Sequence, residues 1–331
     1  MGEIALQTSW GVQIALYLFL GGLAGGTALV TGIVQLKQGE RFKNLVRFGA
    51  WAAVLLLLAG VLCLVTEVTM PLRAMQLWRA FTNPTSWMTI GAWLLVAGIV
   101  ATGLFALAAT PAIGGKVLGQ KAPSFKRVLA IISAVLGACI AIYTGILLCV
   151  LLNHPLWNTP LLPVLFTVSA FDTGIALVCL YLCMGKPLGE TEASAISKPI
   201  ATEAAAENSA PAARQASEDA AALAKMAALL ERCSIGLIAA EALVLAALLL
   251  MTSSAEEAGA LSVWVLIAGP LAVPFWAVLI AAGLAVPFAL ELLQLKGKHA
   301  KWMAPTAPLL ILVGGCALRF LILYAGLPLA M

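Results

Sequence analysis

Apolar residues fall in long runs along nearly the whole chain, separated by short clusters rich in Gly, Pro, Asn, Lys and Arg. An α-helix needs about 20 such residues to cross about 30 Å of hydrocarbon at 1.5 Å per residue. Runs of that length lie at about 13–36, 49–71, 87–110, 127–152, 160–184, 229–252, 271–294 and 304–327, and each predicts a membrane-spanning helix. The breaks carry turn chemistry. Lys37-Gln38-Gly39-Glu40-Arg41 follows the first run, Pro71 closes the second and Asn83-Pro84 precedes the third. Asn153-His154-Pro155 closes the fourth, and Lys296-Gly297-Lys298-His299 follows the seventh. Pro270, Pro274 and Pro287 fall near or within the seventh run, where neighbouring helices must satisfy the backbone groups that proline frees.

One stretch breaks the pattern. From about Lys186 to Ala224 the chain is Ala, Glu, Ser and Pro with scattered charge and no aromatic residue. Such a segment buries too little apolar surface to offset its ordering entropy, which predicts a flexible linker over 185–228. Its end is suited to helix, with Ser217 as a cap and Glu218 and Asp219 in a first turn leading into the sixth span. The chain then divides into a five-helix part, 1–184, and a three-helix part, 229–331. The expected fold is all-α and integral to the membrane, with eight transmembrane helices in two packed helical groups.

Composition removes the soluble alternative. The chain is 62% hydrophobic and 10% charged, against roughly 25% charge in soluble domains. Its net charge of +4 sits in loops and does not point to nucleic acid. Lys37, Arg41, Lys43 and Arg47 follow span one, Lys116, Lys121, Lys126 and Arg127 follow span three, and Lys296, Lys298 and Lys301 follow span seven. The opposite loops and both termini carry only Arg73 and Arg79. By the positive-inside rule the basic loops are cytoplasmic, and an even number of spans places both termini outside. In a bacterium this means the inner membrane with periplasmic termini. The short acidic N-terminus and the full-length first run read as no cleavable signal.

Cysteine and histidine narrow the chemistry. Cys63, Cys139, Cys149, Cys179, Cys183, Cys233 and Cys316 all fall inside or at the end of a span and form no CxxC pair. They read as small packing residues. His154 and His299 lie at opposite membrane edges, so they cannot ligate one haem between helices. No metal site, no haem and no iron–sulfur cluster is expected in this chain. If electrons pass through it, a two-electron organic carrier and a partner subunit must handle them.

Several motifs in order along the chain then become informative. Span one carries Trp10 and Tyr17-Leu18-Phe19-Leu20-Gly21-Gly22-Leu23-Ala24-Gly25-Gly26. Asn83-Pro84-Thr85-Ser86-Trp87-Met88 and Gly91-Ala92-Trp93 open span three. Span four reads Tyr143-Thr144-Gly145-Ile146-Leu147-Leu148 and leads to Asn153-His154-Pro155-Leu156-Trp157-Asn158. Phe275-Trp276, Pro287 and Gly314-Gly315-Cys316-Ala317-Leu318-Arg319-Phe320 follow in spans seven and eight. Together these stretches resemble the NrfD/polysulfide reductase membrane-subunit family. The resemblance implies a quinone-reactive membrane subunit of a respiratory oxidoreductase. Such a subunit would exchange electrons between the menaquinone or ubiquinone pool and a periplasmic four-cluster iron–sulfur subunit. It would also anchor a molybdopterin catalytic subunit, with docking expected on loops 71–86 and 153–160.

The resemblance also implies site residues. Tyr143 matches the tyrosine that the family places against a quinone carbonyl; its alternative is a packing tyrosine bonded to a neighbouring helix. Tyr17 stands where the polysulfide reductase branch has a histidine, and Ile14 replaces a nearby asparagine, so Tyr17 or Gln13 would take the second ring oxygen. Trp10 either covers the pocket or belongs to the interfacial aromatic belt. Glu67, near the outer end of span two, would accept a quinol proton or else pair with Arg73. Asp172, Glu241 and Arg319 are ionisable groups inside spans, where each charge costs at least ~2.5 kcal/mol unless paired or hydrated. They form either a proton path or a static ion pair with Arg319. Glu291, near the inner edge, is expected to reach water. Two other functions compete with quinone chemistry: a secondary transporter with midplane acids, and a passive anchor.

Overall fold

The computed structural model describes residues 10–39, 41–67, 86–111, 122–184, 203–254, 257–296 and 302–328. Among these every regular element is a helix. In chain order they are α1 (Val12–Gln38), α2 (Lys43–Glu67), α3 (Trp87–Ala109), α4 (Ala122–Cys149), α5 (Leu161–Cys183), α6 (Glu203–Ser253), α7 (Glu257–Ile267), α8 (Pro274–Leu295) and α9 (Met303–Ala325). All but α7 are long and apolar enough to cross a membrane, which gives the eight spans expected. Their large apolar side chains face outward as well as inward. Leu62 is 64% exposed, Leu243 70% and Val135 56%, as a lipid-facing surface requires and a water-facing one does not.

α1 is the centre of the bundle and packs against α2, α4, α5 and α9. Its glycines make this possible. A Cβ at Gly25 would collide with the Gly137 carbonyl of α4, and one at Gly26 with the Ala170 carbonyl of α5. Helices without side chains at the contact approach closely enough to gain dispersion where lipid offers no hydrophobic drive. α5 then links α1 to α6 and α9, so the two parts of the chain share one interior.

Three features differ from the sequence reading. α6 begins at Glu203, so residues 203–228 of the expected linker are helical. Near its entry into the sixth span, Ala222, Leu223, Met226 and Leu230 pack onto a core built by Phe42, Leu45, Val46 and Ile175, which gives that part of the helix apolar partners. α7 is additional to the expected elements, because an 11-residue helix is too short to register as a span. The first part of α8, Pro274–Ala285, is wound as π-helix. Prolines stand at both ends of that segment, Pro274 and Pro287, and Pro287 has no N–H for the ladder. Gly283 there meets Gly314 of α9 so closely that neither accommodates a Cβ.

The start of α1 and the end of α9 lie at one end of the bundle, joined through the 150–160 loop. Trp10 packs at a tilt against Trp157 with ring centres 5.7 Å apart, and His154 Nδ1 lies 3.1 Å from the Gly326 carbonyl. The described basic residues Lys37, Arg41, Lys43, Arg47, Lys126, Arg127 and Lys296 gather at the helix ends opposite. These are termed the aromatic end and the basic end below.

Candidate functional site

Two buried tyrosines mark the aromatic end. Tyr17 on α1 is 2% exposed and Tyr143 on α4 is 5% exposed, and they lie near enough to interact electrostatically. The Tyr143 hydroxyl donates to the Trp87 carbonyl in the first turn of α3, at 3.0 Å. Its ring rests on Gly91, where a Cβ would overlap the ring and the hydroxyl. Tyr17 packs over Gly60 of α2 and beside Gly21, whose open side also faces Thr144. Four helices therefore converge here, and glycines on three of them create the room for two phenols. Tyr143 keeps both bonding roles. Its proton is held by a carbonyl, while its oxygen lone pairs remain to accept.

At the same end of the bundle the 150–160 loop is tied to α4 and α9. Trp157 is fully buried and donates from Nε1 to the Ile322 carbonyl of α9 at 2.8 Å. His154 stacks on it with ring centres 4.1 Å apart. Asn158 Nδ2 donates to the Cys149 carbonyl at 3.0 Å, satisfying one of the acceptors left open where α4 ends. Burial pushes the His154 pKa below its usual value, against backbone hydrogen bonds that raise it. Trp10 joins this assembly through Trp157. Gln13 is exposed, one turn further out than Tyr17. Glu67 is the last residue of α2 at the same end, and its side chain lies outside the described residues, as do 68–85 with Arg73. Sequence alone does not reveal Trp157 as a joint between segments; its position in a loop after a span suggests an interfacial belt, and only the fold shows its depth.

A second polar group runs through the interior. Arg319 on α9 is fully buried and donates to Ser169 Oγ at 2.5 Å, to the Gly315 carbonyl at 2.8 Å and to the Phe166 carbonyl at 3.2 Å. Its guanidinium also lies 5.2 Å from the centre of the Phe166 ring. Glu241 of α6 lies close to Ser169 as well, and interacts electrostatically with Arg319. Among the described residues Arg319 makes no ion pair to a carboxylate within 4 Å; Glu241 acts on it electrostatically. One turn along α5, Asp172 accepts from Ser234 Oγ at 2.6 Å. Glu291 of α8 lies close to Ser234 as well.

The arrangement is two rungs, Arg319 and Glu241 around Ser169, and Asp172 and Glu291 around Ser234, with Glu241 and Asp172 in electrostatic contact between them. Glu291 lines a cavity of about 350 Å³ with Glu231, Gln294, Cys179 and Cys183. Glu291 Oε2 and Gln294 Nε2 have no protein partner there. The sequence exposed the four ionisable members of this group but not Ser169 and Ser234, because a serine in a helix is an ordinary residue until its neighbours are known.

An all-helical bundle with eight spans, a buried aromatic pair at one end and a charged interior defines a multi-pass membrane protein equipped with two distinct polar sites. Comparison with known proteins says which. The family model described as polysulphide reductase, NrfD, matches residues 3–206 and 212–329, and the protein belongs to this family. It is 33% identical over 182 residues to the C subunit of polysulfide reductase from Wolinella succinogenes, covering 50% of this protein and 56% of that one. It is 31% identical over 210 residues to protein NrfD of Escherichia coli, covering 57% and 65%, respectively. A protein NrfD homolog of Haemophilus influenzae is 25% identical over 206 residues, covering 56% and 63%. These alignments span less than two thirds of each relative's length. The protein is thus a multi-pass membrane member of the polysulphide reductase, NrfD, family.

Proposed function

We propose that this protein oxidises or reduces a quinone at the aromatic end, with the ring held between Tyr143 and Tyr17, and passes electrons to an iron–sulfur subunit. That partner, together with a molybdopterin catalytic subunit, would sit on the periplasmic face. The observation that carries this reading is the convergence of two buried phenols from α1 and α4 in a member of this family. Two phenols suit a quinone ring chemically, since each oxygen both donates and accepts and neither carries a charge that a neutral ring would leave unpaired. The name of the Wolinella relative, one lettered component of a polysulfide reductase, supports an assembly of several subunits.

The bond from Tyr143 to Trp87 adds a preference. Because the hydroxyl proton is held by a carbonyl, the phenol offers a lone pair, which matches a quinol O–H better than a quinone C=O. Quinol oxidation releases two electrons and two protons. Glu67, at the same end of α2, is the proposed proton acceptor, and Trp10 with Trp157 covers the site. Tyr143→Phe removes one hydrogen-bonding group worth on the order of 1 kcal/mol, or several-fold in affinity. Quinol-driven turnover of the complex should fall by that factor while turnover with dyes feeding the partner persists. Normal quinol kinetics in the double variant Tyr143→Phe with Tyr17→Phe would leave only an anchoring role.

A second reading rests on the interior rungs. Three carboxyl groups set beside Ser169 and Ser234, leading from Arg319 to a polar cavity, support a proton path between the basic end and the quinone site. Asp172→Asn and Glu241→Gln should lower proton uptake per electron in vesicles. Unchanged stoichiometry in both would make the group structural. No second copy of this pattern of acids is seen among the described residues, which speaks against a transporter built on inverted repeats.

A further inference from the structure

At the basic end, between the close of α1 and the opening of α4, a cavity of about 690 Å³ is lined by Gln35, Lys37, Gln38, Arg41, Ser124 and Arg127. It begins where the two helices stop touching. Gly32 lies against Ala130 and Ala134 with no space for a Cβ, and one turn further on Gln35 and Arg127 are walls of the cavity. Three cations, on α1, on α4 and in the connection from α1 to α2, therefore line one space. Arg41 meets Glu218 at 3.9 Å, but that carboxylate is 73% exposed and strongly screened, so the site keeps its positive charge.

The other wall is apolar. Val128 lines the cavity and is 51% exposed, and Ile131, Ile132 and Val135 follow it along one face of α4 with exposures of 46%, 42% and 56%. This face leads away from the cations along the membrane-spanning part of the helix. A ligand that fills both parts carries a negative head and a hydrocarbon tail, and the depth of the site is that of the lipid headgroups. We propose that this cavity binds an anionic phospholipid, its phosphodiester among Lys37, Arg41 and Arg127 and an acyl chain on the Val128–Val135 face. The lipid would bridge α1 and α4, the two helices that hold Tyr17 and Tyr143 at their other ends.

Native mass spectrometry of the detergent-purified protein tests this with dioleoylphosphatidylglycerol, dioleoylphosphatidylcholine and inorganic phosphate as probes. Phosphatidylglycerol should bind about tenfold more tightly than phosphatidylcholine. Lys37→Gln alone should weaken it about fivefold, and the triple variant with Arg41→Gln and Arg127→Gln at least tenfold. Lys296→Gln, at the same end but outside the cavity, should stay within about twofold. Equal binding of the two lipids, or unchanged binding by a triple variant that keeps the wild-type thermal unfolding profile, would overturn the proposal. Displacement of the lipid by inorganic phosphate at equal concentration would overturn it too, and would mark a site for free anions. The quinone reading is untouched by either result.

Discussion

The aromatic end and the interior both bury polar groups in apolar surroundings, yet they satisfy them in opposite ways. At the aromatic end neutral groups meet backbone carbonyls: Tyr143 on Trp87, Trp157 on Ile322, His154 on Gly326. In the interior, ionisable groups meet side-chain hydroxyls: Arg319 on Ser169 and Asp172 on Ser234. A neutral hydrogen bond contributes about 1 kcal/mol net and exchanges partners cheaply. A buried charge deprived of its partner costs several kcal/mol, so its heavy atoms stay and only a proton can move. The first design suits a ring that comes and goes, the second a fixed relay or a fixed brace.

The largest effect that sharpens this contrast is expected at Arg319. Arg319→Leu leaves Ser169 and Glu241 buried without a cation and should lower stability by ~3 kcal/mol, read as early thermal unfolding in detergent. Arg319→Lys should recover part of it. If Arg319→Leu unfolds like wild type, the interior is not organised by charge. A smaller effect is expected at Gly91. Gly91→Val drives a side chain into the space of the Tyr143 ring, at a cost of about 1–3 kcal/mol. Quinol-dependent turnover should fall by about tenfold, more than in Tyr143→Phe, because the whole ring is displaced. Equal loss in dye-driven turnover would show a folding defect in place of a site defect.

The smallest effect concerns pH. Burial holds the His154 pKa below its ordinary value near 6.5, so the unfolded chain binds the proton more readily. The contribution of His154 to stability is then complete above that value and declines as pH falls through it. His154→Gln should remove this acid-side slope in thermal unfolding. A slope of equal size in the variant would assign it to other groups.

Much of this is legible in the amino-acid order. Hydropathy over about 20 residues locates all eight spans, because crossing hydrocarbon imposes a length that nothing else in the chain imitates. The buried ionisable residues stand out for the same reason. The joints do not. Trp157 lies in a loop, Ser169 and Ser234 are small and common in helices, and α7 is shorter than a span. Their roles depend on which helix faces which, and on the rotation of α1 set by Gly25 and Gly26. The π-wound stretch of α8 has a visible cause in Pro274 and Pro287 but no visible form.

The molecule also offers a rival place for a ring. An apolar cavity of about 400 Å³ lies among α6, α7 and α8, lined by Ala242, Leu245, Phe275, Trp276 and Phe288 among others. It is the natural seat for any hydrophobic molecule that needs no hydrogen bond. Photolabelling of the purified complex with an azidoquinone, followed by peptide mapping, decides between the two regions. Labels on α1 around Tyr17 and on α4 around Tyr143, lost in the Tyr143→Phe, Tyr17→Phe double variant, are the predicted result. Labels confined to Phe275, Trp276 and their neighbours, unchanged in that variant, would contradict a quinone site at the aromatic end.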